Sequence, residues 1–253
     1  MQPKPTLWKN IPLTFLIAIL QTTISLIPGI LFLKNSSHGA LILNYMIFYL
    51  LLSDFFQLVG KNTYKKGKSV PLVIYGVKLI ISTILIYLII KQTAIQFGII
   101  LLAYELFQMM IFSKQFYYVD SLFYSFTNAF FKGIVFNQLL TISYPFDYDF
   151  ELIKPFVFSF LIVLFLTIFT QGMYSYLSRQ PIFLLLGLLS LIGTYYLVVQ
   201  HYMSQQLDTW KLISFIVATI ISFFLFMKTK KAKKKEFILN LFALASLIIY
   251  YIQ

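Results

Sequence analysis

The chain contains no cysteine, which excludes disulfides and thiolate metal sites and, for a bilayer protein, leaves the redox compartment open. Charge is scarce as well: of 253 residues, 11% are Asp, Glu, Lys or Arg and 60% are hydrophobic. A chain with so few charges cannot cover a water-facing surface, so a soluble globular domain is excluded. There is no glycine-rich phosphate loop, no H-E-x-x-H and no G-x-S-x-G, which leaves the corresponding enzyme chemistries without support. No polar stretch is long enough to form a separate unit, and residues 1–253 read as a single transmembrane domain. The first apolar run exceeds a usual signal core and lacks a small-x-small cleavage pattern, so it reads as a span rather than a leader.

What the sequence does have is a succession of apolar runs near the roughly 20 residues that cross a bilayer as a helix. They fall near 11–33, 39–60, 71–90, 93–112, 121–142, 155–177, 181–199, 211–227 and 237–252. Runs this uniform lack the alternation of barrel strands, and lipid offers exposed backbone no partner. The expected fold class is therefore all-α: a polytopic integral membrane protein of about nine transmembrane helices around a cytoplasm-facing polar chamber.

Lys and Arg sort by side. With a cytoplasmic N-terminus, fourteen of the 20 lie inside: Lys4, Lys9, Lys61, Lys65, Lys66, Lys68, Lys114, Arg179, and the six lysines of "KTKKAKKKE" at 228–236. Outside stand Lys34, Lys91, Lys154 and Lys211, with the acidic Asp147, Asp149 and Glu151, while Lys78 and Lys132 fall within spans. The bias predicts a multi-pass cell-membrane protein with its N-terminus inside and its C-terminus outside, and the Lys/Ile/Phe/Tyr-rich composition reads as bacterial. Trp8 and Trp210, at run ends, read as interfacial anchors. Basic residues on short loops, without a soluble face of interleaved aromatics, argue against nucleic acid as a partner.

Depth singles out a second group of residues. Asp54, Lys78, Glu105, Asn128 and Gln171, from five different spans, each lie about 9–10 Å from the cytoplasmic boundary at a rise of about 1.5 Å per residue. Gln57 and Gln108 follow Asp54 and Glu105 by three residues on the same faces, and Lys132 follows Asn128 by four, reaching about 16 Å. An ionisable group near a helix centre costs at least about 2.5–3.5 kcal/mol, so such groups face the bundle interior or water and find partners. One shared inward-facing chamber, with two acids balancing two bases, is the economical reading. The alternative is a set of separate ion pairs and interhelical bonds, with Lys78 snorkelling to the interface. His38 and His201 lie on different outer loops without two-His helical spacing, so no metal site is expected from them. Pro28-Gly29 reads as a kink near the end of the first helix.

Three stretches carry a resemblance: "PLTFLIAILQTTISLIPGILF" from Pro12, "NYMIFYLLLSDFFQLVGKNTYKKGKSVP" from Asn44, and "FYYVDSLFYSFTNAFFKGIVF" from Phe116. They resemble the first, second and fifth helices of the UbiA-type intramembrane prenyltransferases, and the likeness extends over nearly the whole chain. The resemblance implies nine helices and an isoprenoid diphosphate held through magnesium by two aspartate-rich motifs. Here Ser53-Asp54-Phe55-Phe56-Gln57 keeps one aspartate, Lys61 stands at the third acidic place, and "TQGMYSYLSRQP" near the sixth helix has no carboxylate. The family's acidic cage is thus missing, and magnesium enters only if some prenyl transfer remains.

Where that family concentrates negative charge, "VGKNTYKKGKSVP" (Val59 to Pro71) concentrates positive charge. Those lysines either hold a phosphate or anionic headgroup directly or serve only the inside-positive bias. The expected ligand-binding set is Asp54, Gln57, Lys61, Lys65, Lys66, Lys78, Glu105, Asn128, Lys132 and Gln171, with no catalytic residue assigned. The expected function is binding of an isoprenoid, quinone-like or other amphipathic lipid in the chamber, without the usual magnesium-dependent transfer. A transporter or permease subunit, and an accessory protein packing against a partner, stand as alternatives.

Overall fold

The computed structural model of the protein describes residues 11–32, 39–64, 72–112, 120–141, 153–174 and 180–252. The described residues form nine helical rods and no strand. They are α1 (Ile11–Phe32), α2 (Gly39–Tyr64), α3 (Leu72–Gln92), α4 (Ile95–Phe112), α5, α6 (Val157–Tyr174), α7 (Pro181–Met203), α8 (Thr209–Lys228) and α9 (Ala232–Tyr251). Rod α5 runs as Leu122–Phe130, a π-helical turn Phe131–Val135, and Phe136–Thr141. Six of the nine, α1, α2, α3, α6, α7 and α8, are long and apolar enough to cross a membrane, and α4 carries a shorter apolar stretch, Ile95–Met110. This is the architecture of a multi-pass membrane protein. Large apolar side chains such as Val73, Ile80, Ile192, Ile220 and Phe223 point away from the bundle, as lipid-facing positions do.

Successive helices alternate in direction, so the starts of α1, α3, α5, α7 and α9 gather at one end, called the polar end here. The Lys233–Thr14 and Tyr174–Glu236 bonds hold neighbouring helices together at that end. One large apolar core lies among α1 to α5 around Tyr49, Tyr104 and Phe136, a second among α1 and α5 to α9 around Phe158, Phe215 and Phe242, and a small third joins Ile17 and Ala18 of α1 to Leu58 of α2. Helices α4 and α5 meet through rings, with Phe107 stacked on Tyr124 at 5.8 Å and Tyr104 edge-on to Phe136 at 4.9 Å.

Helices α1 and α5 form the seam between the two halves, and glycines allow α5 a close approach to α6 at Gly133 and to α1 at Gly29. A Cβ on Gly133 would sit 2.5 Å from the Phe160 Cα, and one on Gly29 would sit 3.1 Å from the Asn137 Cα. At Pro28, expected as a kink, α1 continues to Phe32. The Gly29 amide donates to Asn137 Oδ1 at 2.8 Å, and the Asn137 amide nitrogen donates to the carbonyls of Lys132 and Gly133 at 3.2 and 3.0 Å. One buried side chain therefore satisfies backbone groups on two helices where hydrogen bonding is irregular.

At the far end, Tyr250 stacks on Phe158 at 3.8 Å and bonds His201. An open pocket of about 700 Å³ lies beside them, bordered by Lys154 and Lys211. His201, expected as an exposed or interfacial loop residue, is thus in the last turn of α7 and partly buried.

Candidate functional site: a buried polar cluster

Helical periodicity builds the cluster. On α2, Asp54, Gln57 and Lys61 are spaced three and four residues apart and share a face; on α5, Tyr124, Asn128 and Lys132 repeat every four. The two faces meet α1 at Gln21, Thr22 and Ser25, and α6 at Thr167, Thr170 and Gln171.

Lys132 Nζ donates to Asp54 Oδ1 at 2.6 Å, and Thr22 Oγ1 donates to the other carboxylate oxygen at 3.0 Å. Asp54 is fully buried and Lys132 nearly so. Gln57 Nε2 and Lys61 Nζ both donate to the Tyr124 hydroxyl, the latter at 3.1 Å, and the Lys61 ammonium also lies 5.0 Å from the Tyr124 ring centre. A hydroxyl that accepts twice still has its own proton to give. Asn128 donates to Thr167 Oγ1 at 3.1 Å, but its carbonyl oxygen Oδ1 is buried without a partner. Ser125 donates to Gln171 at 2.7 Å beside them.

These groups surround a cavity of about 30 Å³, room for about one water-sized group. Its wall includes Gln57, Lys61, Tyr124, Asn128 and Lys132 and, among the described residues, no carboxylate. Among the described residues, none of the acids Asp54, Asp120 and Glu236 forms an ion pair with Lys61. Asp54 is held by Lys132, and Glu236 accepts from the Tyr174 hydroxyl at 2.7 Å. The ammonium and hydroxyl donors suit an oxyanion or other polar oxygen, and the orphaned Asn128 oxygen is left for a group that carries a proton.

The residues named from sequence divide between two places. Gln57, Lys61, Asn128 and Lys132 line the cavity, Asp54 stands behind Lys132, and Gln171 supports Ser125. Lys78 and Glu105 form a separate buried ion pair joining α3 to α4, where Tyr49 also donates to Glu105 at 3.3 Å. Lys78 is therefore paired rather than snorkelling. Gln108, one turn beyond Glu105, is buried with both amide atoms unpartnered. Lys65 and Lys66 lie outside the described residues.

Sequence reading passed over Tyr124 and Asn137. The only signal for Tyr124 was its place four residues before Asn128, and for Asn137 its position as an amide five residues beyond Lys132 in an apolar run.

The family resemblance implies magnesium, but these residues do not fit it. Hard cations need several free oxygens, whereas Asp54 and Glu105 are each committed to a lysine, and no group of three His, Cys, Asp or Glu among the described residues could hold a metal. No family model matches the chain, and no curated protein and no solved structure matches it.

Proposed function

We propose that the protein is a nine-span bacterial cell-membrane protein, N-terminus inside and C-terminus outside, that binds the polar head of an amphipathic lipid at this cluster. The observation that carries the reading is the cavity wall, free of carboxylates among the described residues, where Lys61, Lys132 and the Tyr124 hydroxyl stand together. A cavity of about 30 Å³ takes one head-group oxygen, not a whole lipid. The tail then lies along the helices, and the rest of the head sits toward Lys61, the half-buried member of the set.

An isoprenoid or quinone-like lipid has the required form, an apolar tail and a compact oxygen-bearing head. The likeness to UbiA-type prenyltransferases enters as architecture, nine helices with polar residues late in α2 and early in α5. It does not enter as chemistry, because diphosphate departure needs charge neutralisation that bound metal normally shares. The reading is therefore binding without metal-dependent prenyl transfer.

The test uses the purified full chain in detergent, titrated with farnesyl phosphate and with farnesol. Farnesyl phosphate should bind more tightly, and Lys61→Gln should weaken it by about tenfold, the loss of one charge-assisted hydrogen bond, while leaving farnesol unchanged. Equal binding of phosphate and alcohol, or no effect of Lys61→Gln, overturns the reading.

A further inference from the structure

A second amphipathic site lies in the other half of the bundle. Helices α7 and α8 are joined at the far end through Ser204–Asp208, and near the polar end they leave a groove of about 220 Å³. Its floor is Phe165 and Phe169 of α6 with Leu239 and Phe242 of α9, and the exposed Leu188 and Phe223 form its banks. Apart from Thr219 and Ser222 the lining is apolar, so the groove takes a hydrocarbon chain.

Its mouth is basic. Lys235 Nζ lies 4.4 Å from the ring centre of Phe226, a groove-lining residue, and this cation–π contact holds the ammonium at the edge of the apolar lining. Lys228, Lys230 and Lys231 are exposed on the α8–α9 connection, one to four residues past the lining Met227. The nearest acid in sequence, Glu236, is buried and committed to Tyr174. An apolar slot ending at exposed lysines with no opposing free acid on that connection is complementary to a chain that ends in a negative head.

We propose that this groove binds an anionic glycerophospholipid of the surrounding membrane, with one acyl chain between α7 and α8 and the phosphate-bearing head on Lys228 and Lys235. The site is independent of the Lys61 cavity. It lies on the lipid-facing side of α6 to α9 and shares no lining residue with that cavity. An occupant drawn laterally from the leaflet also accounts for an apolar floor left uncovered between two helices that otherwise belong to one packed half.

Native mass spectrometry of the full chain, released from detergent after addition of palmitoyl-oleoyl phosphatidylglycerol or phosphatidylcholine, tests this. Phosphatidylglycerol should be retained preferentially, each lysine contributing about fivefold, and Lys228→Gln with Lys235→Gln should reduce retention to the phosphatidylcholine level. Both lysines are exposed or partly exposed, so that variant keeps its fold. Ser222→Trp, which fills the groove, should remove both lipid adducts and leave farnesyl phosphate binding unchanged. Equal retention of the two lipids by the unaltered protein overturns the proposal, as does phosphatidylglycerol that survives Ser222→Trp. Loss of the phospholipid adduct in Lys61→Gln also overturns it, by placing the lipid in the other cavity.

Discussion

Among the described residues, two ammonium–carboxylate pairs are buried at the same end of the bundle, and their surroundings differ. Lys78 and Glu105 join α3 to α4, with Tyr49 completing the carboxylate and the Phe56 ring 5.9 Å from the ammonium. This pair borders neither the small cavity nor the apolar groove. Lys132 and Asp54 join α5 to α2 deeper in the bundle, and Lys132 faces a cavity that Lys61 and the Tyr124 hydroxyl also border and where the Asn128 carbonyl oxygen is left without a protein partner. Burial of charge alone does not mark a site. What distinguishes the second pair is the open polar space beside it, on which Lys132 can act while Asp54 holds it in place.

The largest expected effect comes from breaking the deeper pair. Asp54→Asn should destabilise the protein by about 3–5 kcal/mol, because Lys132 is left charged and buried without a counter-ion. Unfolding of the detergent-solubilised chain in denaturant measures this. Adding Lys132→Met to Asp54→Asn should recover most of the loss, since no lone charge then remains. If the double variant is as unstable as the single one, the pair is not the source of the cost.

Next comes Gly133→Ala. The added methyl would overlap the backbone of Phe160, so α5 and α6 must separate beside Lys132, at an expected cost of about 1–3 kcal/mol. Its cost should couple with Asp54→Asn and add independently to Glu105→Gln, because only the deeper pair depends on where that turn holds its lysine. Equal coupling to both pairs would erase the distinction between them.

Glu105→Gln should cost well below Asp54→Asn, about 1.5 kcal/mol, the value of a hydrogen bond to a charged group. Lys78 is only six residues past the start of α3, so its stem can carry the freed ammonium toward the interface. A loss as large as that of Asp54→Asn would show that Lys78 is as trapped as Lys132.

The difference between the pairs also marks how far the sequence could be read. Apolar runs located every helix, because crossing a bilayer imposes a length that composition reveals. Ends were less legible: the last run was read as 237–252, yet α9 is Ala232–Tyr251, since a helix continues through Lys233 to Lys235 where hydropathy does not. The rise per residue placed Asp54, Lys78, Glu105, Asn128 and Gln171 at similar depth, but depth carries no information about facing between helices. Two acids and two bases at one level therefore fitted a shared chamber as well as two separate pairs. The π turn in α5 was also hidden, because its support comes from Asn137, whose partners include Gly29 on another helix. Tyr124 stands out in the sequence by nothing but its spacing to Asn128, and its hydroxyl acquires meaning only beside Gln57 and Lys61 of α2.

The smallest expected effect concerns that hydroxyl. Tyr124→Phe removes the acceptor shared by Gln57 and Lys61 but keeps the ring stacked on Phe107 and beneath the Lys61 ammonium. Stability should fall by about 1 kcal/mol, the net value of an ordinary hydrogen bond, because the half-exposed Lys61 turns to water and only Gln57 loses its partner in the interior. Farnesyl phosphate affinity separates the two roles of this corner. If Lys61 is the anion contact and Tyr124 only steers it, Tyr124→Phe should weaken binding less than Lys61→Gln does. A loss equal to that of Lys61→Gln would place the hydroxyl proton itself on the ligand, and the cavity would then hold the head group through Tyr124 as well as through the lysines.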